Sequence, residues 1–155
     1  MKTRAVLLRI DSRLENVRLV GRTAGTLSAL AGLSSFDCAQ VELCVVEAVN
    51  NCVRHAYGGE PGHAVDVKFS LAHDRLVMDV VDEGLAMPLG PAPSFEFDPH
   101  RLEHLPERGM GLFIIHAIMD QVAYASSNGR NTLTLVRLLA SSKRALSAPE
   151  PSGAR

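Results

Sequence analysis

The stretch VELCVVEAVNNCVRHAYGG, residues 41–59, contains the pattern that decides the fold of this chain. At 100° per residue, one arc of a helix collects its small and apolar side chains, and we expect that arc to face a sheet. The arc consists of Val45, Ala48, Val49, Cys52 and Ala56. Glu47, Asn51 and His55 recur at four-residue intervals along its edge. Because a partly buried carboxylate beside an amide is costly unless a ligand lies next to it, this stripe predicts a functional site.

Length and composition are typical of a single globular domain. The chain has 155 residues, of which 46% are hydrophobic and 21% are charged, so disordered and collagen-like classes are excluded. We expect one domain at residues 1–140, followed by a small, polar, proline-containing tail at 141–155 that is disordered. A net charge of −1 gives no electrostatic argument for a nucleic-acid partner or an anionic membrane. The N-terminus resembles neither a signal peptide nor a membrane span, which predicts a cytoplasmic protein.

The three cysteines, Cys38, Cys44 and Cys52, all lie in one region that reads as helical. Zinc ligation would need companion His or Cys pairs at short loop spacing, and the sequence has none. We therefore predict reduced core cysteines, as in a cytosolic protein, rather than a disulfide framework or a metal site.

The remaining hydrophobic periodicities predict three helices and five strands. In chain order they are a strand at 3–10, helices at 15–33 and 37–57, strands at 63–72 and 75–82, a helix at 109–120, and strands at 121–127 and 131–139. The two middle strands form an antiparallel hairpin. This order predicts an α+β fold, a two-layer sandwich in which a mostly antiparallel mixed sheet carries its helices on one face.

Local signals set several boundaries of these elements. Asp37 is the expected N-cap of the second helix. The Asn128-Gly129 pair marks the turn between the last two strands, within a loop longer than two residues. The proline-rich segment between Leu85 and Arg108 is too long for an ordinary connection, so we expect a functional lid or a disordered loop.

Two further stretches place glycines beside residues that suit a nucleotide. VDEG ends a buried strand with Asp82, which could accept a hydrogen bond from the amino group of adenine, and Gly84 lets backbone approach a base. RGMGL places Gly109 and Gly111 at a helix start, where free N–H groups and the helix dipole favour phosphate. On the earlier helix, an Asn oxygen suits Mg²⁺ and a Glu one turn away suits deprotonation of a hydroxyl. Each feature alone is also common in ordinary turns, helix starts and helix edges.

Jointly and in this order, these motifs resemble the GHKL family of ATP-binding domains, which includes gyrase-type ATPases and histidine kinases. EAVNN is similar to the family's Glu-x-x-x-Asn box, VDEG to its Asp-x-Gly box, and RGMGL to its second glycine box. The stretch EAVNNCVRHAYGG and the short lid look most like the anti-sigma-factor serine/threonine kinases of bacterial partner-switching systems. The resemblance implies the Bergerat-type ATP-binding fold.

The same resemblance implies a function and its partners. Such proteins bind ATP and Mg²⁺, hold a sigma factor or other client, and phosphorylate a Ser or Thr of a STAS-domain antagonist. They are commonly homodimers. A nucleotide-gated binding regulator without kinase turnover is the alternative. A detached histidine-kinase catalytic domain is a third interpretation, although the sequence lacks a dimerisation helix bearing a phospho-acceptor His.

At the phosphate end, motif positions imply a role for each residue. Glu47 resembles the catalytic base, and Asn51 resembles the Mg²⁺ ligand. The phosphate-binding end of the lid corresponds to Arg108, Gly109 and Gly111. His55 continues the stripe, either near the phosphates or as a structural histidine.

At the base end, Asp82 resembles the adenine-binding Asp, with Gly84 beside it. Thr132, or alternatively Thr134, resembles a Thr that assists adenine binding. The family often has a second glycine where this chain has Ala86. Because alanine resists positive φ, this departure predicts a different path for the loop that leaves the base.

Overall fold

The computed structural model describes residues 3–88 and 109–140 of the chain. Over these residues it contains every helix and strand that the sequence predicts. They are β1 Arg4–Asp11, α1 Leu14–Leu30, α2 Ser35–Asn51, a π-helical turn Cys52–Ala56, β2 Ala64–Leu71, β3 Arg75–Asp82, α3 Met110–Ile118, β4 Gln121–Ser127 and β5 Arg130–Leu138. Most of the expected lid, including Arg108, and the expected disordered tail lie outside the described residues.

The five strands form one sheet in the order β1-β2-β3-β5-β4, and each neighbouring pair is antiparallel. The prediction that the sheet contains parallel as well as antiparallel strand pairs is therefore wrong for the described strands. The path of the chain explains the difference. Among the described residues, α3 is the one helix between β3 and β4 along the chain. These two strands run in the same direction, but β5 lies between them in the sheet and pairs antiparallel with both. No parallel ladder forms in the described sheet, although the chain makes a crossover of the kind that usually creates one.

The helices cover one face of this sheet, as predicted. Burial alternates along β3, where Leu76, Met78, Val80 and Asp82 are buried and the residues between them are half-buried. Such a period of two is the pattern of a strand with one face against a core. The buried inner face packs against apolar side chains of α1, α2 and α3 in one hydrophobic cluster, which is almost wholly aliphatic apart from Phe69. The predicted core arc of α2 is buried throughout.

Helix α2 begins one turn earlier than the sequence predicts. Its N-cap is Ser34, whose Oγ accepts a hydrogen bond from the Asp37 N–H at 3.1 Å. Asp37 is the third residue of the helix, and its carboxylate accepts a hydrogen bond from the Ser34 hydroxyl at 2.7 Å. The expected cap at Asp37 is wrong because Ser34 already offers an oxygen at the position that the first free N–H groups require.

The hairpin between β4 and β5 is tighter than predicted. Ser127 pairs with Arg130, so Asn128 and Gly129 alone form the loop. Both have positive φ, at 53° and 75°, which is the geometry of a two-residue type I′ turn. This turn fixes the register of β5 against β4.

All three cysteines are free, as predicted, with Cys44 and Cys52 buried and Cys38 half-buried. Burial raises the pKa of the Cys44 thiol to about 12, so that thiol stays protonated.

In the described parts of the chain, no helix combines the length and the apolar character that a bilayer crossing requires.

Candidate functional site

A pocket opens between the C-terminal end of α2 and the ends of β3 and β5. It holds about 300 Å³, counted with its open mouth. Its walls are mostly apolar, and its few polar groups come from the helix and from the end of β3. The lining residues are Ala48, Asn51, Cys52, Ala56, Asp82, Leu85, Met87, Tyr124 and Leu133. An apolar cleft with a few convergent polar groups is the usual form of a small-molecule site.

The carboxylate of Asp82 is the charged group of this pocket, and it is 7% exposed. Its Oδ1 accepts hydrogen bonds from Asn131 Nδ2 at 2.7 Å and from the Gly84 N–H at 2.9 Å. Its Oδ2 accepts the thiol of Cys52 at 3.4 Å. Burial, followed by the charge of Asp82, raises the pKa of the Cys52 thiol, which therefore remains a proton donor.

Gly84 is required because two backbone segments meet there. A Cβ on this residue would lie 2.3 Å from the Ala56 carbonyl oxygen. The next residue, Leu85, donates its N–H to the same oxygen at 2.9 Å. The π-helical turn and the strand end are thus held together, and this contact shapes the wall of the pocket. Ala86 needs no glycine, since Asn128 is the one non-glycine residue with positive φ in the described chain.

Asn51 brings an unsatisfied polar atom to the same pocket. Its side-chain Nδ2 is buried and has no hydrogen-bond partner among the described residues. Buried polar groups in proteins are nearly always paired, so an orphaned amide beside a cavity indicates a missing ligand. Its position one turn after Glu47 on α2 places the two side chains on neighbouring parts of one helix face.

The glycine-rich start of α3 meets α2 at Glu47. A Cβ on Gly111 would lie 2.6 Å from Glu47 Oε2, so the carboxylate occupies the space that a side chain would need. Gly109, the N-cap of α3, has φ of 92°, a conformation that favours glycine. The structure therefore brings the start of this helix next to the Glu47 carboxylate. Arg108, expected here as well, lies outside the described residues.

His55 is not brought into the pocket. It lies in the π-helical turn that follows α2, where the Tyr57 N–H donates to the Cys52 carbonyl at 3.0 Å. The wider turn ends the regular four-residue stripe after Asn51, and the His55 side chain is exposed. The expectation that the α-helix continues to the Gly58-Gly59 pair is wrong for the same reason.

Thr132 is also absent from the pocket. It pairs with Val81 on the sheet face opposite Asp82, whereas Asn131 pairs directly with Asp82. Thr134 lies on that opposite face too and donates to Asp79 at 2.7 Å. Because side chains alternate along a strand, a shift of one residue exchanges the two faces. The structure thus places Asn131, and not Thr132, on the same sheet face as Asp82.

The model of the histidine kinase-like ATPase domain family matches residues 10–137. The chain belongs to this family. Serine-protein kinase RsbW of Bacillus velezensis is 30% identical over 133 residues, which are 79% of this chain and 78% of that protein. Serine-protein kinase RsbW of Bacillus mycoides is 28% identical over 136 residues, which are 85% of this chain and 84% of that protein.

A solved structure agrees with the fold. It is the crystal structure of the RsbU and RsbW domains of Rv1364c from Mycobacterium tuberculosis, with a TM-score of 0.62 and 20% identity. The match covers 87% of this chain and 32% of that one, so this chain spans about a third of its length. The likeness shows that a known histidine kinase-like ATPase fold is present here.

Sequence reasoning missed two features of this histidine kinase-like ATPase domain. Asn131 was missed because its role depends on strand register, which the Asn128-Gly129 turn could have fixed. Tyr124 lines the pocket, and its hydroxyl accepts the Met87 N–H at 2.8 Å, which anchors the chain that leaves β3. Only its aromatic character in a sequence poor in aromatics marked it out.

No cluster of three or more His, Cys, Asp or Glu side chains within residues 3–88 and 109–140 could hold a metal ion. Asn51 is the neutral oxygen ligand that the described pocket offers.

Proposed function

We propose that this protein is an ATP-dependent serine/threonine protein kinase that acts as a partner switch. It phosphorylates a STAS-domain antagonist and, in its other state, sequesters a sigma factor or another client. The observations that support the proposal are a pocket lined by Asn51 and Asp82 and the contact of the α3 start with Glu47, one turn before Asn51 on α2. The similarity to proteins named serine-protein kinase RsbW supports the same reaction.

The base end of the pocket suits adenine. Asp82 Oδ2 has only a weak thiol donor, so it retains capacity to accept an N–H from the exocyclic amine. Ala48, Ala56 and Leu133 supply apolar surface for the faces of the ring. Guanine would place an oxygen against the carboxylate, which is unfavourable, and this favours ATP over GTP.

The phosphate end suits Mg²⁺ and a triphosphate. The unpaired Nδ2 of Asn51 is a donor and suits a phosphate oxygen, whereas its Oδ1 is the atom that would bind Mg²⁺, which usually takes one or two protein oxygens together with phosphates and water. When bound, Mg²⁺ neutralises phosphate charge. The N–H groups at the start of α3, next to Gly109 and Gly111, favour the remaining negative charge.

Glu47 is the group suited to activate the attacking hydroxyl. Its carboxylate accepts the proton of the Ser or Thr hydroxyl as that oxygen forms a bond to the γ-phosphorus. The bond from the γ-phosphorus to the bridging oxygen breaks, and ADP leaves with the electron pair. In phosphoryl transfer most of the acceleration comes from positioning and charge stabilisation, which is the contribution of Asn51 and α3.

Phosphorylation would also operate the switch. It adds about −1.5 to −2 charges to the antagonist, enough to repel it from an interface. The kinase is then free for its client, and competing affinities decide which partner is held. ATP and these protein partners are cytoplasmic, and we place the protein there.

We propose in addition that the protein acts as a homodimer. Strand β1 is an edge of the sheet, with Val6 41% and Leu7 64% exposed. Exposed apolar side chains on an unpaired strand edge favour association with another chain. Light scattering after size-exclusion chromatography should give the mass of two chains, and a monomer at all concentrations would contradict the proposal.

The kinase proposal is tested by incubating the protein with Mg²⁺, ATP and the STAS-domain protein encoded beside it. Mass spectrometry should find one phosphate on a Ser or Thr of the STAS protein. Asn51→Ala should bind ATP poorly and transfer nothing, whereas the matched control Asn50→Ala should behave like the wild type. Binding of ATP by the wild type without transfer to any STAS protein would instead support a nucleotide-gated regulator.

A further inference from the structure

Asn131 lies at the centre of a hydrogen-bonded chain at the base end of the pocket, and it is 2% exposed. Its Nδ2 donates to Asp82 Oδ1 at 2.7 Å and to the Gly84 carbonyl at 3.0 Å. Its Oδ1 accepts the hydroxyl of Ser126 at 2.7 Å. The amide has two N–H groups, and both have acceptors within reach.

This arrangement permits only one orientation of the Asn131 amide. Rotation by half a turn would put its oxygen against the Asp82 carboxylate and the Gly84 carbonyl, which are both acceptors. Since both N–H groups are used and the side chain is 2% exposed, Asn131 has no free donor to offer a ligand. It therefore acts on the pocket through Asp82, as a positioning residue.

The two oxygens of Asp82 consequently differ. Oδ1 has two strong N–H donors, from Asn131 and from the Gly84 backbone. Oδ2 has the thiol of Cys52 alone, at 3.4 Å. A thiol is a weak donor, so it can be displaced by an amine, yet it keeps the buried carboxylate from being unpaired before a ligand arrives.

We propose that Asn131 and Cys52 set the base preference of this pocket. Asn131 locks Asp82 so that Oδ2 alone faces the ligand, and the Cys52 thiol holds that position until an amino group replaces it. The inference rests on the proposed function, because it concerns the base of the same nucleotide. It adds two residues that the sequence motifs do not include.

The Asn131→Ala variant tests whether Asn131 fixes the orientation of the Asp82 carboxylate. Without the amide, the Asp82 carboxylate can rotate away from the position that accepts the amine, so discrimination between adenine and guanine should weaken. We expect the ratio of ADP affinity to GDP affinity to fall by about tenfold, which corresponds to one hydrogen bond to a charged group.

Two variants of Cys52 test whether an amino group of the ligand displaces the thiol from Asp82 Oδ2. They should differ in their ADP affinity. Cys52→Ser introduces a stronger donor, which competes with the amine and should weaken ADP binding about threefold to tenfold. Cys52→Ala removes the competitor, so its ADP affinity should equal or exceed that of the wild type. A residue that only fills space would give no such difference between Ser and Ala.

The experiment is isothermal titration of the full chain with ADP and with GDP in the presence of Mg²⁺, since diphosphates avoid turnover. Thermal unfolding without nucleotide checks that each variant is folded. Ser127→Ala, an exposed serine next to Ser126, is the matched control and should bind both nucleotides like the wild type. If Asn131→Ala does not fold, Asn131→Ser and the Cys52 pair decide the question.

The outcomes separate this inference from the proposed function. An unchanged ADP-to-GDP ratio in a folded Asn131 variant, or equal ADP affinity of the Cys52 Ser and Ala variants, overturns the inference alone. A wild type that binds no adenine nucleotide overturns both. A wild type that binds ADP selectively but phosphorylates no STAS protein removes the kinase and leaves the inference standing.

Discussion

The two ends of the pocket differ in how much of their hydrogen bonding is already complete. At the base end, Asp82 receives three donors, and Asn131 uses every polar atom of its side chain. At the phosphate end, the buried Nδ2 of Asn51 has no partner in the described chain, and Glu47 faces a glycine. The base end is built by the protein itself, whereas the phosphate end needs a ligand to complete it.

This difference shows which end of the pocket has an unfavourable free energy in the ligand-free protein. A buried amide without a partner costs about 1–3 kcal/mol, which a bound ligand can recover as affinity. A completed hydrogen-bond network gives no free energy of this kind to ligand binding, but it keeps its geometry without the ligand. In the proposed function, selection of the base therefore depends on a preorganised network, and binding of the phosphates depends on polar groups that the ligand satisfies.

Glu47→Gln should have the largest effect. Glutamine preserves the shape of the side chain but cannot accept the hydroxyl proton, so phosphotransfer to the STAS protein should fall by about 10²–10⁴-fold. Nucleotide binding should stay close to wild type, because the base end is untouched. Single-turnover phosphotransfer and ADP titration measure the two quantities. A variant that keeps more than about a tenth of the rate would remove Glu47 from the catalytic role.

The glycines of the two ends should respond differently to alanine. At Gly84 the new Cβ would meet the Ala56 backbone at 2.3 Å, so Gly84→Ala should lose about 1–3 kcal/mol of unfolding free energy. At Gly111 it would meet the Glu47 carboxylate at 2.6 Å, which can rotate away. Gly111→Ala should therefore keep its stability but slow phosphotransfer by about 100-fold through a displaced base.

Urea unfolding and phosphotransfer rates measure these two effects. Equal destabilisation of both variants would contradict the difference between the base end and the phosphate end. It would mean that the contact at Gly111 is as rigid as the one at Gly84.

The two asparagines should also have opposite effects on the free protein. Asn131→Ala removes the partner of the Ser126 hydroxyl and of the Gly84 carbonyl and one of the three donors of Asp82, and should cost about 1–3 kcal/mol. Asn51→Ala removes an amide that is already unsatisfied, so the nucleotide-free protein should stay within about 1 kcal/mol of wild type or gain stability. Urea unfolding in the absence of nucleotide measures both. A large loss in Asn51→Ala would show that its amide is satisfied in solution.

Thr132→Val should have the smallest effect of all. Its side chain lies on the face opposite Asp82, so ADP affinity should be unchanged and stability should shift by less than about 0.5 kcal/mol. Titration with ADP is the measurement. A tenfold loss of affinity would mean that β5 is shifted by one residue, and the base end would have to be rebuilt around Thr132.

The sequence predicted most of the fold. Local patterns gave the order of helices and strands, because periods of 3.6 and 2 residues are written directly in the hydrophobic residues. Glu47 and Asn51 stand out as site candidates because one helix turn separates them, and Gly84 because a glycine after a strand-ending Asp lets backbone approach a base. The contact that Gly84 makes with the Ala56 backbone was visible only in the structure.

The misses came from effects that extend beyond one element. His55 left the expected stripe because the helix widens into a π-helical turn at Cys52, where Leu85 of another segment donates to the Ala56 carbonyl. The sheet was expected to be mostly antiparallel but mixed, and local sequence does not show that β5 inserts between β3 and β4.

The sequence by itself determined which residues are candidates for the chemistry, since a carboxylate, an amide and glycines at fixed spacing are local properties of the chain. The tertiary structure alone decided which of two neighbouring residues lies beside Asp82. Asn131 and Thr132 differ by one position, and strand alternation gives them opposite faces. That choice follows from the pairing of β5 with β3, a contact between segments about fifty residues apart, for which the buried inner face supplies the free energy.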